Sequence, residues 1–283
     1  MILNYIHWKP DPEIINIFGI SLRYYGLLFV GGLILSIYLL GLIFKKENIP
    51  SENLEKLATY GMIGIIIGAR LGHCLFYEPS YYLSHPLEMI LPISFLPDGG
   101  IKFTGYQGLA SHGGVLGVLV ALYFYSRKTK HSLIDTIDKI AIVAGVSLGA
   151  IRLGNFMNSE IIGMPTSKPW GVIFGRVDNV PRHPAQLYEA ISYFIICAIM
   201  IILYIKMRDR LKNGFLFGLA TILFFTARFL IEFVKENQVG FEDGLTFNMG
   251  QLLSLPYIAV GFGFIIYGRW KTKSSAHNTR YSQ

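Results

Sequence analysis

The feature that most constrains this chain is the length of its apolar runs. Hydrophobic residues come in blocks of around twenty, which at about 1.5 Å of helix rise per residue matches a hydrocarbon core about 30 Å thick. No water reaches backbone polar groups at that depth, so each block must satisfy its own hydrogen bonds, and an uninterrupted block does so as a helix. Seven candidate spans lie near 18–44, 57–77, 109–126, 133–153, 188–205, 214–234 and 250–268. Only 15% of the residues are charged, against roughly a quarter in an ordinary soluble domain, so a soluble enzyme is a poor fit. The expected fold is all-α: a polytopic membrane protein with seven transmembrane helices, a single integral membrane domain over 1–283, and a small extracytoplasmic head near 154–187. The chain is too apolar for intrinsic disorder. Its two cysteines, Cys74 and Cys197, sit inside apolar blocks and read as small hydrophobes.

Lys and Arg concentrate on the cytoplasmic side of membrane proteins, and the loops here alternate in basic content. Segments 45–56, 127–132, 206–213 and 269–283 hold three, three, four and four Lys or Arg, whereas the other four stretches hold six between them: Lys9, Lys102, Lys168, Arg176, Arg182 and Lys235. This places the amino terminus outside and the carboxyl terminus in the cytoplasm. The formal net charge of +7 then belongs to loops at a membrane face, and no nucleic-acid partner is expected.

Arginine at bilayer depth costs at least about 2.5–3.5 kcal/mol on insertion scales, so it marks a protein interior or a wet cavity unless it snorkels to the interface. Arg23, Arg70, Arg152 and Arg228 all fall toward the outer side under this orientation. Snorkelling competes as an account of Arg23 and Arg70. Arg228 and Glu232 are four residues apart, on one helix face, where an ion pair would lower the cost of both. Arg152 opens the polar string Arg152-Leu153-Gly154-Asn155-Phe156-Met157-Asn158-Ser159-Glu160 at the end of the fourth span, denser than helix termination requires.

Ser111 is the expected N-cap of the third span, and the positive end of a helix dipole favours a neutral His112 able to accept a proton. Arg182-His183-Pro184-Ala185-Gln186-Leu187-Tyr188-Glu189 leads into the fifth span, and Tyr24 and Tyr25 follow Arg23. Guanidinium groups bind phosphate oxygens bidentately and apolar helices accept acyl chains, so a lipid with an anionic phosphate head suits such a cavity. Clustered carboxylates for metal-dependent phosphotransfer are lacking in the sequence, as are a Walker loop, a His/Cys zinc spacing and a Gly-x-Ser-x-Gly elbow. A transporter or channel for an anion or lipid competes with this reading, because intramembrane arginines line such paths too. Another transferase acting on a phospholipid head is the second rival.

At these residues the sequence resembles the prolipoprotein diacylglyceryl transferase family. The family signature Arg-x-Gly-Asn-Phe-x-Asn-x-Glu-x-x-Gly is matched by Arg152, Gly154, Asn155, Phe156, Asn158, Glu160 and Gly163, seven specified positions in twelve residues. Further similarity lies in Arg23-Tyr24-Tyr25-Gly26, His112-Gly113-Gly114, the Arg182 to Glu189 stretch, and Arg228 with Glu232. The position before Arg152, commonly Gly in the family, is Ile151 here. The resemblance implies a seven-helix enzyme of the bacterial cytoplasmic (inner) membrane with a small periplasmic head, working without metal or soluble cofactor. Its implied reaction moves the diacylglyceryl group of phosphatidylglycerol to the thiol of the lipobox cysteine in a prolipoprotein signal peptide, forming a thioether and releasing glycerol 1-phosphate. It attaches essential function to Tyr25, His112, Asn155, Gly163 and Arg228, and phospholipid binding to Arg152. On that chemistry His112, Tyr25 and Arg228 are the catalytic candidates. Arg152, Asn155, Glu160, Gly163 and Glu232 are the phosphatidylglycerol-binding ones, with Glu160 and Glu232 expected to hold the arginines. His112, Tyr25 and the Arg228–Glu232 pair all remain open as the base that deprotonates the thiol.

Overall fold

The computed structural model describes residues 5–17, 20–96, 99–103, 108–237 and 247–280. The protein is mostly helical. Seven long helices are present among the described residues: α1 (Tyr24–Lys46), α2 (Ser51–Phe76), α5 (Ser111–Thr129), α6 (Leu133–Asn158), α7 (Ala185–Met207), α8 (Phe215–Glu232) and α9 (Met249–Arg280), with the short α3 (Pro79–Ser84) and α4 (Pro86–Ile90) between α2 and α5. Six of the seven long helices, all but α5, are long and apolar enough to cross a membrane. In α5, Ser111, His112, three glycines, Arg127 and Lys128 dilute the apolar residues. The all-α expectation missed several short strands. Two of them, β2 (Glu13–Ile17) and β3 (Ile20–Arg23), pair antiparallel, so the chain is extended through Arg23 and the first helix starts at Tyr24 rather than near position 18, which with 19 lies outside the described residues.

The chain divides into two compact units, one formed by 1–43 with 137–283 and the other by 44–136. In the first, helices meet through small residues, since between apolar surfaces in lipid it is close packing and polar bridges that hold helices together. A Cβ added at Gly32 of α1 would stand 2.6 Å from the Ala150 Cβ of α6, and the Ser36 and Ser147 hydroxyls bond at 2.6 Å across the same contact. Gly218 of α8 and Gly261 of α9 face each other in the same way. Asp138 of α6 accepts from the backbone N–H of Gly214 at 2.6 Å and of Phe217 at 2.7 Å. A carboxylate from another helix thus supplies the cap that the first turn of α8 lacks locally.

Between α6 and α7, residues 159–184 fold with the amino-terminal segment into a small sheet. The strands β1 (Ile6–Trp8), β6 (Val172–Phe174) and β7 (Pro181–Arg182) lie in the order β1-β6-β7, with β1 parallel to β6 across more than 160 residues of sequence. Ile162, Val172 and Phe174 form its core, packed against Trp8 and Phe156. Residues 154–158 remain helical, so the element expected from 154 to 187 is shorter at both ends.

In the second unit α2 and α5 pack backbone to backbone. Gly64, Gly68 and Gly72 oppose Gly113 and Gly117, and a Cβ at Gly64 would come 2.6 Å from the Gly117 carbonyl oxygen. Arg70 does not snorkel: it is 6% exposed and donates to the Glu88 carbonyl at 2.6 Å and the Met89 carbonyl at 3.2 Å, with its guanidinium 4.7 Å from the Tyr82 ring centre. The Glu88 carboxylate in turn accepts from the Phe95 N–H (2.9 Å) and the Tyr81 hydroxyl (2.8 Å). These bonds bind α3, α4 and the hairpin of β4 (Ile93–Phe95) and β5 (Ile101–Phe103) to α2.

Candidate active site

In the first unit the end of α6 carries Arg152 and Asn155, three residues apart on one face, and the chain then turns sharply. Ser159 (φ 56°) and Ile161 (φ 57°) both adopt the left-handed backbone region, which is costly for a β-branched residue and persists where surrounding bonds over-determine it. Those bonds are present: Glu160 N–H to the Asn155 carbonyl at 2.9 Å, and the Gln186 amide of α7 to the Glu160 carbonyl at 2.6 Å. The turn brings the Glu160 carboxylate back over the helix end, where it accepts from the Asn155 and Asn158 amides, each at 3.2 Å. Asn155 also accepts from Arg152 at 3.4 Å. The Tyr25 phenol lies within the fields of Glu160 and Arg152, and Gly154 gives it room, because a Cβ there would be 2.8 Å from the Tyr25 ring.

The main partner of Arg152 is Glu189 of α7, which sequence reading had only as one polar residue of a string. Its carboxylate is wholly buried, with Arg152 Nε 2.9 Å from Oε2 and Lys235 Nζ 3.6 Å from Oε1. Neither contact has hydrogen-bond alignment, so the carboxylate is held by charge on both sides. Lys235, 2% exposed, also bonds Glu232 Oε2 at 2.9 Å. The result is a buried alternation Arg152–Glu189–Lys235–Glu232. It corrects two expectations: Glu232 pairs with Lys235 rather than with Arg228, and Glu160 is engaged by asparagine amides rather than by an arginine. Arg228 makes no ion pair among the described residues; it stands one helical turn before Glu232 on the same face of α8, and its charge, like those of Arg152 and Glu189, reaches the Tyr193 hydroxyl.

Gly163 works through its backbone. It bridges to Lys235 in an antiparallel pair, and its N–H donates to the His183 carbonyl at 2.9 Å. An added Cβ would come 2.5 Å from the His183 carbonyl oxygen and 2.7 Å from that of Val234. Arg182 ties the same region together, donating to Asp178 (2.6 and 2.9 Å), Glu236 (3.0 Å) and the Gly163 carbonyl (3.3 Å). Its bond to Asp178 holds that carboxyl below the ordinary aspartate range. Burial, with the charge of Lys168, shifts His183 toward the neutral form, consistent with its Nδ1 contact of 3.1 Å to the Tyr188 hydroxyl.

His112 belongs to the second unit. It is the second residue of α5, with an exposed side chain, and the cap position expected at Ser111 is occupied by Ala110, leaving Ser111 as the first helical residue.

The family profile described as prolipoprotein diacylglyceryl transferase matches residues 12–267. The chain belongs to the prolipoprotein diacylglyceryl transferase family. A protein of Bacteroides fragilis named phosphatidylglycerol–prolipoprotein diacylglyceryl transferase is 52% identical over 268 residues, covering 94% of this chain and 97% of its own. Proteins of the same name from Chloroherpeton thalassium and Tolumonas auensis are each 43% identical, covering 91% and 90% of this chain and 92% and 95% of their own.

The geometry gives each signature position of this transferase family a physical task in this chain. Arg152 meets Glu189, Gly154 admits Tyr25, and Asn155 and Asn158 hold Glu160. Phe156 stacks on Trp8 with ring centres 4.4 Å apart while its carbonyl accepts the Trp8 indole N–H at 3.0 Å, which fastens the small sheet to α6. Gly163 seats Lys235. Glu189 and Lys235 are the residues that sequence reading missed as site members. Loop charge alone does not mark Lys235; the one signal for it is its position seven residues after Arg228, on the face of Glu232.

Proposed function

We propose that this protein transfers the diacylglyceryl group of phosphatidylglycerol to the thiol of a lipobox cysteine in a prolipoprotein signal peptide, the first step of bacterial lipoprotein maturation. The observation that carries the reading is the buried Arg152–Glu189 pair at the end of a membrane helix, where the family signature begins and runs on through the turn to Gly163. The thiolate sulfur attacks the diacylglyceryl carbon that bears the phosphate ester, and a thioether S–C bond forms. The C–O bond breaks with its electron pair going to the departing glycerol 1-phosphate, and the thiol proton passes to a base. A thiol of pKa about 8.5 is mostly protonated at neutral pH, which is why a base is required. Charge grows on the phosphate as the bond breaks, and cations already in place stabilise it. Arg152 and Arg228 serve as those cations, Tyr25 and Asn155 orient the head group, and His112 takes the proton. Glu160 fixes Asn155, and Glu232 and Gly163 shape the donor site.

The protein works as one integral domain of the bacterial inner membrane, with α5 as the seventh span, the amino terminus and the small sheet outside, and the carboxyl terminus in the cytoplasm. The loop charges support this orientation. The test is purified protein in detergent with phosphatidylglycerol and a synthetic lipobox peptide carrying one Cys. A diacylglyceryl mass gain on the peptide, matched by released glycerol phosphate and lost with a Cys→Ser peptide, is the expected outcome. Glycerol phosphate release with an unmodified peptide would point to another acceptor, and no reaction by folded protein would overturn the reading in favour of transport.

A further inference from the structure

Lys235 is a buried cation that the reaction as described does not use. It is 2% exposed and stands 2.9 Å from Glu232 and 3.6 Å from Glu189. Arg228, Glu232 and Lys235 follow one another at i, i+4 and i+7, along one face of α8 and the turn after it. The spacing of Arg228 and Glu232 is the one at which an arginine and a glutamate ordinarily pair within a helix, and here the carboxylate is taken by the lysine. Among the described residues five charged groups belong to this cluster: Arg152, Lys235 and, one turn from Glu232, Arg228, against the buried carboxylates of Glu189 and Glu232. Glu160 is exposed and engaged by two amides. Two of the three cations therefore neutralise the two buried carboxylates, and one is left over.

We infer that Lys235 is a positioning residue which occupies Glu232, and with Arg152 shares Glu189, so that the Arg228 guanidinium stays unpaired for the phosphodiester of an anionic lipid. The inference rests on the donor-site reading above and deepens it. It also accounts for Gly163. The antiparallel bridge from Gly163 to Lys235 and the close approach of Gly163 to the Val234 and His183 carbonyls fix the backbone from which the ammonium reaches both carboxylates. Without Lys235, Glu232 has Arg228 one helical turn away as its alternative partner, because a buried carboxylate stripped of its cation is costly. The arginine would then be consumed in an intrahelical pair, and the donor would meet only cations already paired with carboxylates.

The experiment compares retention of phosphatidylglycerol with that of phosphatidylcholine by the purified full-length protein, using native mass spectrometry, alongside KM for phosphatidylglycerol and kcat in the peptide assay. Lys235→Met is expected to weaken phosphatidylglycerol retention and raise its KM by roughly tenfold or more, the effect of about 1.4 kcal/mol, with phosphatidylcholine retention unchanged. Lys235→Arg should restore retention. The decisive variant is the double Lys235→Met with Glu232→Gln, which removes the competing carboxylate together with its cation and should retain phosphatidylglycerol at least about threefold better than the single Lys235→Met variant. If Lys235→Met does not fold, Lys235→Gln, which keeps a hydrogen-bond donor without the charge, takes its place. Parent-like retention in the folded single variant overturns the inference, and so does a double variant as weak as the single, since that would make Lys235 a direct ligand. Failure of the parent itself to retain phosphatidylglycerol or modify the peptide would refute the donor-site reading instead, and is seen before any variant is made.

Discussion

Two arginines, Arg70 and Arg152, both stand in membrane helices, and they are satisfied in opposite ways. Arg70, in the second unit, is held by the carbonyls of Glu88 and Met89 and covered by the Tyr82 ring. These contacts are with carbonyl dipoles and an aromatic ring, and they fasten short elements to α2. Arg152, in the first unit, touches a buried carboxylate through Nε and an asparagine through one terminal nitrogen. Its partner Glu189 is shared with a second cation, and among the described residues the buried carboxylates here each meet a cation whereas Arg228 meets no carboxylate. The same residue type serves as a structural fastener in one unit and as the core of a charged site in the other. The difference lies in whether the partners are carbonyl dipoles or full charges.

Pairs of variants can break this comparison. The largest effect is expected from Arg152→Ala, which should lower transfer by about 10²–10³-fold, the usual cost of removing a group that stabilises developing charge, in protein that still elutes as a folded species. His112→Gln should lower kcat by about a hundredfold or more if the imidazole is the base, and should flatten the pH dependence of the rate. Near-normal rates across pH would reassign the base to the first unit. Gly163→Ala, which pushes a methyl against two carbonyl oxygens, should cost about 1–3 kcal/mol by strain and, through Lys235, raise KM for the donor more than it lowers kcat. Arg70→Ala is the counterpart of the first variant. It should lose about 1.5–3 kcal/mol of stability, as expected for hydrogen bonds to a charged group, read as a lower melting temperature, with turnover per folded molecule unchanged. A folded Arg70→Ala protein without activity would end the distinction drawn here.

The smallest effect concerns pH. The Asp178 carboxyl is held below its ordinary range by the Arg182 hydrogen bond, so the native state binds fewer protons than the unfolded chain through that interval. The stabilisation is fully present above the ordinary aspartate value and is lost as pH falls through the lower folded one. Melting curves of the parent and of Asp178→Asn should converge in acid and separate, with the parent the more stable, toward neutral pH.

Much of the architecture was legible in the sequence because membrane helices announce themselves by length and apolarity. The polar string at Arg152 was legible too, because it stands where polar residues are costly. The partners within it were not. Helical spacing suggested Arg228 with Glu232, a local pair, whereas Arg152 meets Glu189 across more than thirty residues and Lys235 reaches Glu189 from a third element. Spacing rules describe neighbours on one helix, and these contacts are made between helices. The parallel pairing of Ile6–Trp8 with Val172–Phe174 escaped for the same reason, since three-residue strands carry no periodicity of their own. Arg70 was open to a snorkelling account because its carbonyl partners lie in the five-residue α4, which composition alone does not reveal.

The cap that Asp138 places on α8 has a consequence for how the chain is made. A polypeptide synthesised from its amino end delivers α6 well before residues 214–217 emerge. The carboxylate is therefore already waiting at its depth when the N–H groups of Gly214 and Phe217 arrive. The last helical hairpin enters against a prepared acceptor, so the order of residues along the chain also sets the order of assembly in the bilayer.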